Sequence, residues 1–178
     1  MWDLTRDYWQ NATPYSRGDG CTGADAADVP IAPLLLRRSE IAAGEIRHAM
    51  RFTISNDRIR DNAYVHPATN NPPGSGGPSG GSNTMPYGAR LRLRADYPIQ
   101  NLSSDQARVV AQALQKYGMF MDDGGNPFIS GTKDLCEPDC IVDMQSLYGI
   151  KPSDFEMIDP GTLYIYSEQN CSRTQVTN

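Results

Sequence analysis

Residues 103–125 read SSDQARVVAQALQKYGMFMDDGG and place a helix directly before a strand. Ser103 is the predicted N-cap, Gln106 holds the reciprocal capping-box position, and Gly118 is the predicted helix terminator. Between them, apolar residues recur at the three- and four-residue spacing of one helix face: Ala107, Val110, Ala111, Leu114 and Tyr117. The pattern predicts an amphipathic helix at about 104–117 that packs on a sheet.

Two other stretches have the period of a half-buried strand. Apolar and polar residues alternate in EIRHAMRFTI at 45–54 and in ARLRLRADY at 89–97, and His48 falls on the apolar face of the first. Strands outnumber helices and do not alternate regularly with them, which disfavours a doubly wound parallel sheet. We therefore expect an α+β or mainly β fold, an antiparallel sheet or β-sandwich that carries the helix at 104–117 and a second short helix at about 140–148.

Length and composition favour a single domain over residues 1–178. The 16 Gly and 13 Pro predict many turns, and a Gly-, Pro- and Ser-rich stretch at 69–86 predicts a flexible loop. The 16 basic and 21 acidic side chains give a net charge of -5, which disfavours binding to a nucleic-acid backbone. No apolar run reaches the roughly 20 residues of a membrane span. We expect a soluble protein.

The four cysteines are Cys21, Cys136, Cys140 and Cys171. They fit two disulfides better than a metal site, because no histidine lies near them in the sequence. Of the three pairings, Cys136 with Cys140 and Cys21 with Cys171 is preferred. Disulfides imply an oxidising compartment.

Three Asn-x-Ser/Thr sequons, at Asn11, Asn101 and Asn170, are compatible with secretion. The opening stretch MWDLTRDYWQ lacks the basic and apolar regions of a signal peptide. From the disulfides and sequons we expect a secreted, extracellular glycoprotein. Because the signal-peptide features are missing, we expect Met1 to begin a mature or trimmed chain.

Blocks spread over about three quarters of the chain resemble one family. They read TGADAADVPIAPLLLRRSEIAAGEIRHAMRFT, YVHPA, PYGARLRLRADYPI, QARVVAQALQKYGMFMDDGG, FISG and DFEMID. In this order and spacing the chain resembles a family of secreted, functionally uncharacterised proteins of filamentous bacteria and fungi, with motifs ADAAGLPI, EIxHALRFT, PMGxRxRL and YGM followed by DNG. The resemblance implies a secreted location and no particular reaction.

This chain departs from the family pattern in three places. His66 stands before Pro67 where the family has tryptophan, and Asn70 stands where the family has histidine. Asp123 is followed by two glycines where the family has Asp-Asn-Gly. Family members also carry a longer amino-terminal section, which implies that this chain is a truncated or partial version.

Candidate catalytic residues come from the chemistry of glycoside hydrolysis, which requires two carboxyl groups about 5 to 10 Å apart. Asp123 at a strand-to-turn junction and Glu45 before the first strand are the acid and base candidates, and His48 is the assisting residue. The alternatives are structural, since Asp-Asp-Gly-Gly is also a hairpin sequence and a histidine on an apolar face is most often a hydrogen-bonded core residue.

Five arginines alternate outward on the two strands: Arg47, Arg51, Arg90, Arg92 and Arg94. On neighbouring strands they would form a basic patch that binds carboxylates or sulfates of a polysaccharide, with His66 as a further binding residue. The alternative is a solvated face whose arginines pair with acidic residues.

We expect neither a metal nor a cofactor. A set of His48, His66 and Asp123 could form a two-histidine, one-carboxylate metal site, but His66 stands where the resembling family has another residue type. No P-loop, dinucleotide fingerprint or Gly-x-Ser-x-Gly elbow occurs in the sequence.

The expected function is carbohydrate-active, a hydrolase or lyase on an extracellular polysaccharide. The alternative is a non-catalytic carbohydrate-binding or structural module that uses Trp2 and Trp9.

Overall fold

The computed structural model describes residues 25–71, 76–136, 144–165 and 174–175. Two α-helices occur there, α1 (Arg38–Ala42) and α2 (Asp105–Lys116). The strands, in chain order, are β1 Met50–Ile54, β2 Ile59–Val65, β3 Met85–Tyr87, β4 Arg90–Leu93, β5 Met119–Gly124, β6 Phe128–Ile129, β7 Phe155–Met157, β8 Leu163–Ile165 and β9 Thr174–Gln175. Short 3-10 helices lie between several of these elements.

The strands form two sheets, with orders β6-β1-β5-β4-β7 and β3-β2-β8-β9. Each sheet contains one parallel pair, β1 with β5 and β2 with β3, and its other pairs are antiparallel. The predicted α+β fold with one substantial helix is confirmed. The antiparallel pattern is wrong in part, because both sheets are mixed.

The five-stranded sheet has one apolar and one largely polar face. Met119, Leu91 and Met157 are directly paired across β5, β4 and β7, and form a row on the apolar face. Phe120 pairs with both Arg51 and Arg90, and this row lies on the opposite face. The predicted alternation is confirmed where strands form, at Met50–Ile54 and Arg90–Leu93, but both strands are shorter than predicted and β5 separates them.

Helix α2 buries four of the five residues of the predicted stripe, since Ala107, Val110, Ala111 and Leu114 are all within the core. The fifth, Tyr117, is the C-cap and is only partly buried. The N-cap is Ser104 rather than Ser103: the Ser104 hydroxyl accepts a hydrogen bond from the Ala107 amide at 3.0 Å. The prediction was one residue early because two adjacent serines both have N-cap chemistry. The Ser103 hydroxyl instead contacts that of Ser146.

One further sequence expectation needs correction, and the stretch at 69–86 has a described contact. The predicted helix at 140–148 is, in its described part, a 3-10 helix at Met144–Gly149. At the start of the predicted flexible loop at 69–86, the buried Asn71 side chain donates to the carbonyls of Arg60 and Ala63 at 2.8 and 2.7 Å. Side-chain amides here take the place of the apolar contacts that the composition lacks.

The predicted disulfides lie outside the described part of the chain. Cys21, Cys140 and Cys171 are not among the described residues, and only the backbone of Cys136 is described. Trp2 and Trp9 also lie outside them.

Candidate functional site

The predicted catalytic residues do not meet in one place. Glu45 and His48 precede β1, whose first residue pairs with Met119 at the start of β5. Asp123 lies near the other end of the same parallel pair, opposite Thr53. The stretch from Met50 to Thr53 alone spans about 10 Å of strand. Glu45 and His48 are therefore separated from Asp123 along the sheet.

Each of the three residues also has a local partner. Nε2 of His48 lies 3.1 Å from a carboxylate oxygen of Glu40 in α1, and Nδ1 lies 2.8 Å from the Ala49 carbonyl. Glu45 forms an exposed ion pair with Arg47 at 2.7 Å, and this contact lowers the pKa of the Glu45 carboxyl. Asp123 accepts a hydrogen bond from the Gly124 amide at 2.8 Å. These contacts are those expected of the structural alternatives.

The predicted basic patch is replaced by separate ion pairs. Arg47, Arg51, Arg92 and Arg94 each contact at least one carboxylate, and Arg90 alone of the five binds a backbone carbonyl instead. Arg92 pairs with Glu156 at 2.7 Å, and Arg94 pairs with Asp96 at 3.2 Å. The alternative prediction, a solvated face whose arginines pair with acidic residues, describes Arg47, Arg92 and Arg94.

Arg51 differs most from expectation, because its side chain is only 8% exposed. It contacts the Asp122 carboxylate through Nε and lies 3.4 Å from that of Asp25 through Nη2. The register between β1 and β5 shifts here, since Phe52 pairs with Met121 and Thr53 with Asp123. Asp122 is thus the extra residue of a β-bulge, which turns its carboxylate toward Arg51.

We call Asp25, Arg51 and Asp122 the buried ionic cluster. Burial raises the pKa of Asp25 to about 7 and that of Asp122 to about 6. The contact with Arg51 opposes this shift in both carboxyls. The neighbouring Tyr87 hydroxyl also has a raised pKa, first because of burial and then because of the nearby aspartates.

Sequence reasoning missed the buried ionic cluster, although one signal was present. Arg51 lies inside a predicted strand, and Asp122 directly follows the MFM segment of another. The two aspartate side chains are 2% and 0% exposed, so the cluster is closed to a polymeric substrate. Its chemistry is that of a structural ion network.

Two of the predicted substrate-binding residues do come together. His66 and Arg90 line a surface hollow of about 350 Å³, here called the His66–Arg90 hollow. Its other lining residues are Pro67, Gly88, Phe120, Ile158, Asp159 and Pro160. The hollow thus combines an imidazole, a guanidinium, a carboxylate and an aromatic ring.

Neighbouring residues orient the two basic side chains of the hollow. Arg90 donates through Nε and Nη2 to the Tyr117 carbonyl, with an Nε distance of 2.7 Å, and its guanidinium lies 5.6 Å from the Phe120 ring centre. The His66 ring stacks on Tyr164 with centroids 5.1 Å apart. The Nη1 group of Arg90 is left outside the contact with Tyr117 and can donate to a ligand.

No protein-family model, curated protein or solved structure matches this chain. The family resemblance and the secreted location therefore stay predictions.

Within the described residues, no three His, Cys, Asp or Glu side chains group closely enough to hold a metal ion. Over the same part of the chain, no helix has both the length and the apolar character needed to cross a membrane.

Proposed function

We propose that the protein binds an anionic polysaccharide through the His66–Arg90 hollow. The supporting observation is that His66, in the turn after β2, and Arg90, in β4, which are both predicted to bind substrate, line the same hollow. Arginine suits this ligand because its planar fork of donors matches the oxygens of carboxylates and sulfates. Secretion stays the expected location, and the sequon residue Asn101 is exposed, as a glycosylation acceptor must be.

Other groups in the hollow fit the neutral part of a sugar. The Phe120 ring offers an apolar surface for the carbon face of a sugar ring. Asp159 accepts a hydrogen bond from the Gly161 amide through Oδ1 at 2.9 Å, which holds the carboxylate in place. Its remaining lone pairs can accept hydrogen bonds from sugar hydroxyls.

Binding is favoured over hydrolysis by the number of carboxylates. Glycoside hydrolysis uses two of them about 5 to 10 Å apart, whereas Asp159 is the one carboxylate among the hollow's described lining residues. The carboxylates of the buried ionic cluster cannot supply the second, because they are closed to solvent.

The presence of His66 beside Arg90 in the hollow favours a second candidate function, the β-elimination of a uronate polysaccharide. Arg90 would neutralise the uronate carboxylate, and His66 would accept the proton from the adjacent ring carbon. A carbon–carbon double bond then forms as the glycosidic carbon–oxygen bond breaks, and water protonates the leaving oxygen. Unlike hydrolysis, this reaction requires no second carboxylate.

The test is calorimetric titration with polygalacturonate fragments and with neutral oligosaccharides of equal length. Only the uronate should bind, and Arg90→Gln should weaken its affinity roughly tenfold, since a hydrogen bond to a charged group is lost. His66→Gln tests the second wall of the hollow. Formation of unsaturated uronate, followed by its absorbance, would distinguish elimination from binding alone.

Arg94→Gln is the matched control, because Arg94 pairs with Asp96 and does not line the hollow. It should leave the affinity unchanged. Equal loss of affinity in Arg90→Gln and Arg94→Gln would indicate attraction by overall charge. Absence of uronate binding by the unmodified protein would remove the proposal.

A further inference from the structure

The apolar face of the five-stranded sheet, opposite the row of Arg51, Phe120 and Arg90, borders a cavity of about 580 Å³. We call it the apolar cavity. Every strand of the sheet contributes at least one apolar side chain to its wall. Leu114 of α2 and Leu147 of the 3-10 helix at Met144–Gly149 also line it. A volume of this size is in the range of pockets that hold small molecules, about 300 to 1,000 Å³.

Large apolar side chains remain exposed at both edges of the apolar cavity. Phe128 on β6 is 55% exposed and Met157 on β7 is 48% exposed, and both are lining residues. They belong to the two edge strands of the sheet, so exposed apolar side chains border the cavity at both edges. Exposed apolar area around a cavity indicates a binding surface rather than a packing defect.

The charge at the rim restricts the kind of ligand. Among the described lining residues, Arg58 is the one charged side chain. The pairing of Ile59 with Met85 sets Arg58 beside Thr84 at the same side of the cavity. The hydroxyl of Thr84 already donates to the Gly81 carbonyl at 2.7 Å. Arg58 is exposed and forms no ion pair with the described residues.

We propose that the apolar cavity binds an aliphatic carboxylate, with its chain along the apolar face of the sheet and its head group at Arg58. The described lining residues include no carboxylate that would repel an anion, and Arg58 supplies the opposite charge. The walls supply the apolar area that a hydrocarbon chain needs. This site lies on the other face of the sheet from the His66–Arg90 hollow and does not depend on it.

Methionine methyl groups give a direct test. Met85, Met119 and Met157 line the apolar cavity, whereas Met50 and Met121 are fully buried beside lining residues and do not line it themselves. In protein labelled with ¹³C at the methionine methyls, titration with dodecanoate below its micelle concentration should shift the three cavity signals saturably. The Met50 and Met121 signals should shift less, because neither side chain lines the cavity. Decanoate should bind roughly tenfold more weakly, because two buried methylene groups are lost.

The carboxylate assignment has its own comparison. Arg58→Gln should weaken dodecanoate binding roughly fivefold and leave binding of the neutral dodecanol unchanged. Arg60→Gln is the matched control, since Arg60 is two residues away and does not line the cavity. Met157→Trp should block the opening on an edge strand, and Ile165→Trp, on the other sheet, should not.

Four results would overturn the proposal. The first is the absence of saturable shifts at the cavity methionines, and the second is equal shifts at Met50 and Met121, which would indicate general loosening by a detergent. The third is an unchanged affinity for dodecanoate in Arg58→Gln. Cavity shifts that follow protein concentration without any ligand would assign the surface to a second copy of the chain and would equally contradict it.

Discussion

At the scale of single residues, the main finding is an arginine buried between two aspartates. Arg51 lies on a strand whose first four residues are all buried, and the segment containing Asp25 contacts it there. A buried charge is tolerated only with partners, and Asp25 and Asp122 supply them. Removing one member leaves the others buried without compensation.

Arg51→Gln should therefore destabilise the protein by about 3 kcal/mol near neutral pH. It leaves two buried carboxyls with no positive partner. The loss should be smaller in mildly acidic buffer, where both carboxyls are protonated. Urea unfolding at the two pH values measures both effects.

Arg94→Gln is the control for this prediction, since its pair with Asp96 is exposed. It should change the free energy of unfolding by less than about 1 kcal/mol. A similar loss in both variants would show that burial of the Arg51 pair has no special role.

At the scale of elements, α2 and the strand after it depend on their two junctions. The amino-terminal junction is capped by Ser104, whose hydroxyl accepts from the Ala107 amide. At the other end, Gly118 has a φ of 73° and connects the helix to β5. The two ends orient the helix on the apolar face of the sheet.

The adjacent serines give a matched pair of variants at the first junction. Ser104→Ala should cost about 1 kcal/mol of stability, because one backbone amide of the first turn loses its acceptor. Ser103→Ala should cost less than about 0.5 kcal/mol, since that side chain is exposed. Thermal or urea unfolding distinguishes them, and the reverse order would restore Ser103 as the cap.

Two glycines with similar φ values give a second matched pair. A Cβ on Gly118 would lie 2.3 Å from the Leu91 carbonyl oxygen, whereas Gly44, with φ of 77°, has no heavy atom within 4 Å of that position. Gly44→Ala should cost about 1 kcal/mol from backbone strain alone. Gly118→Ala should cost about 3 kcal/mol, because the contact adds to the strain. Equal losses in urea unfolding would contradict the role of this close approach.

At the scale of the whole molecule, the buried ionic cluster links stability to pH. The folded-state pKa values of about 7 for Asp25 and about 6 for Asp122 lie above the ordinary value of 3.8. The folded protein therefore binds more protons than the unfolded chain between these values. Stability from these groups is full below the unfolded pKa and is lost as pH rises through the folded pKa values.

We expect a larger free energy of unfolding at about pH 5 than at about pH 8. Asp25→Asn should reduce this difference, because an amide does not titrate and its oxygen can still accept from the Val29 amide, which lies 2.9 Å from Asp25 Oδ1. Urea unfolding across this pH range is the measurement. An unreduced pH dependence in Asp25→Asn would exclude Asp25 as its source.

The sequence by itself determined the local features of this protein. It predicted α2, its end at Gly118 and the two-faced pattern of β1 and β4, because periodicity and turn chemistry are properties of neighbouring residues. It also indicated His66 and Arg90 as binding residues, although not that they share a hollow.

Only the tertiary structure decided which strands are neighbours, and this set every long-range contact. Insertion of β5 between β1 and β4 separated the arginine strands, and one bulge turned Asp122 toward Arg51. The same sheet order left Glu45 and His48 at one end of a parallel pair and Asp123 near the other. Strand order and register depend on which distant segments pack against each other. The periodicity of one segment predicts which of its faces is buried, but not which strand lies beside it.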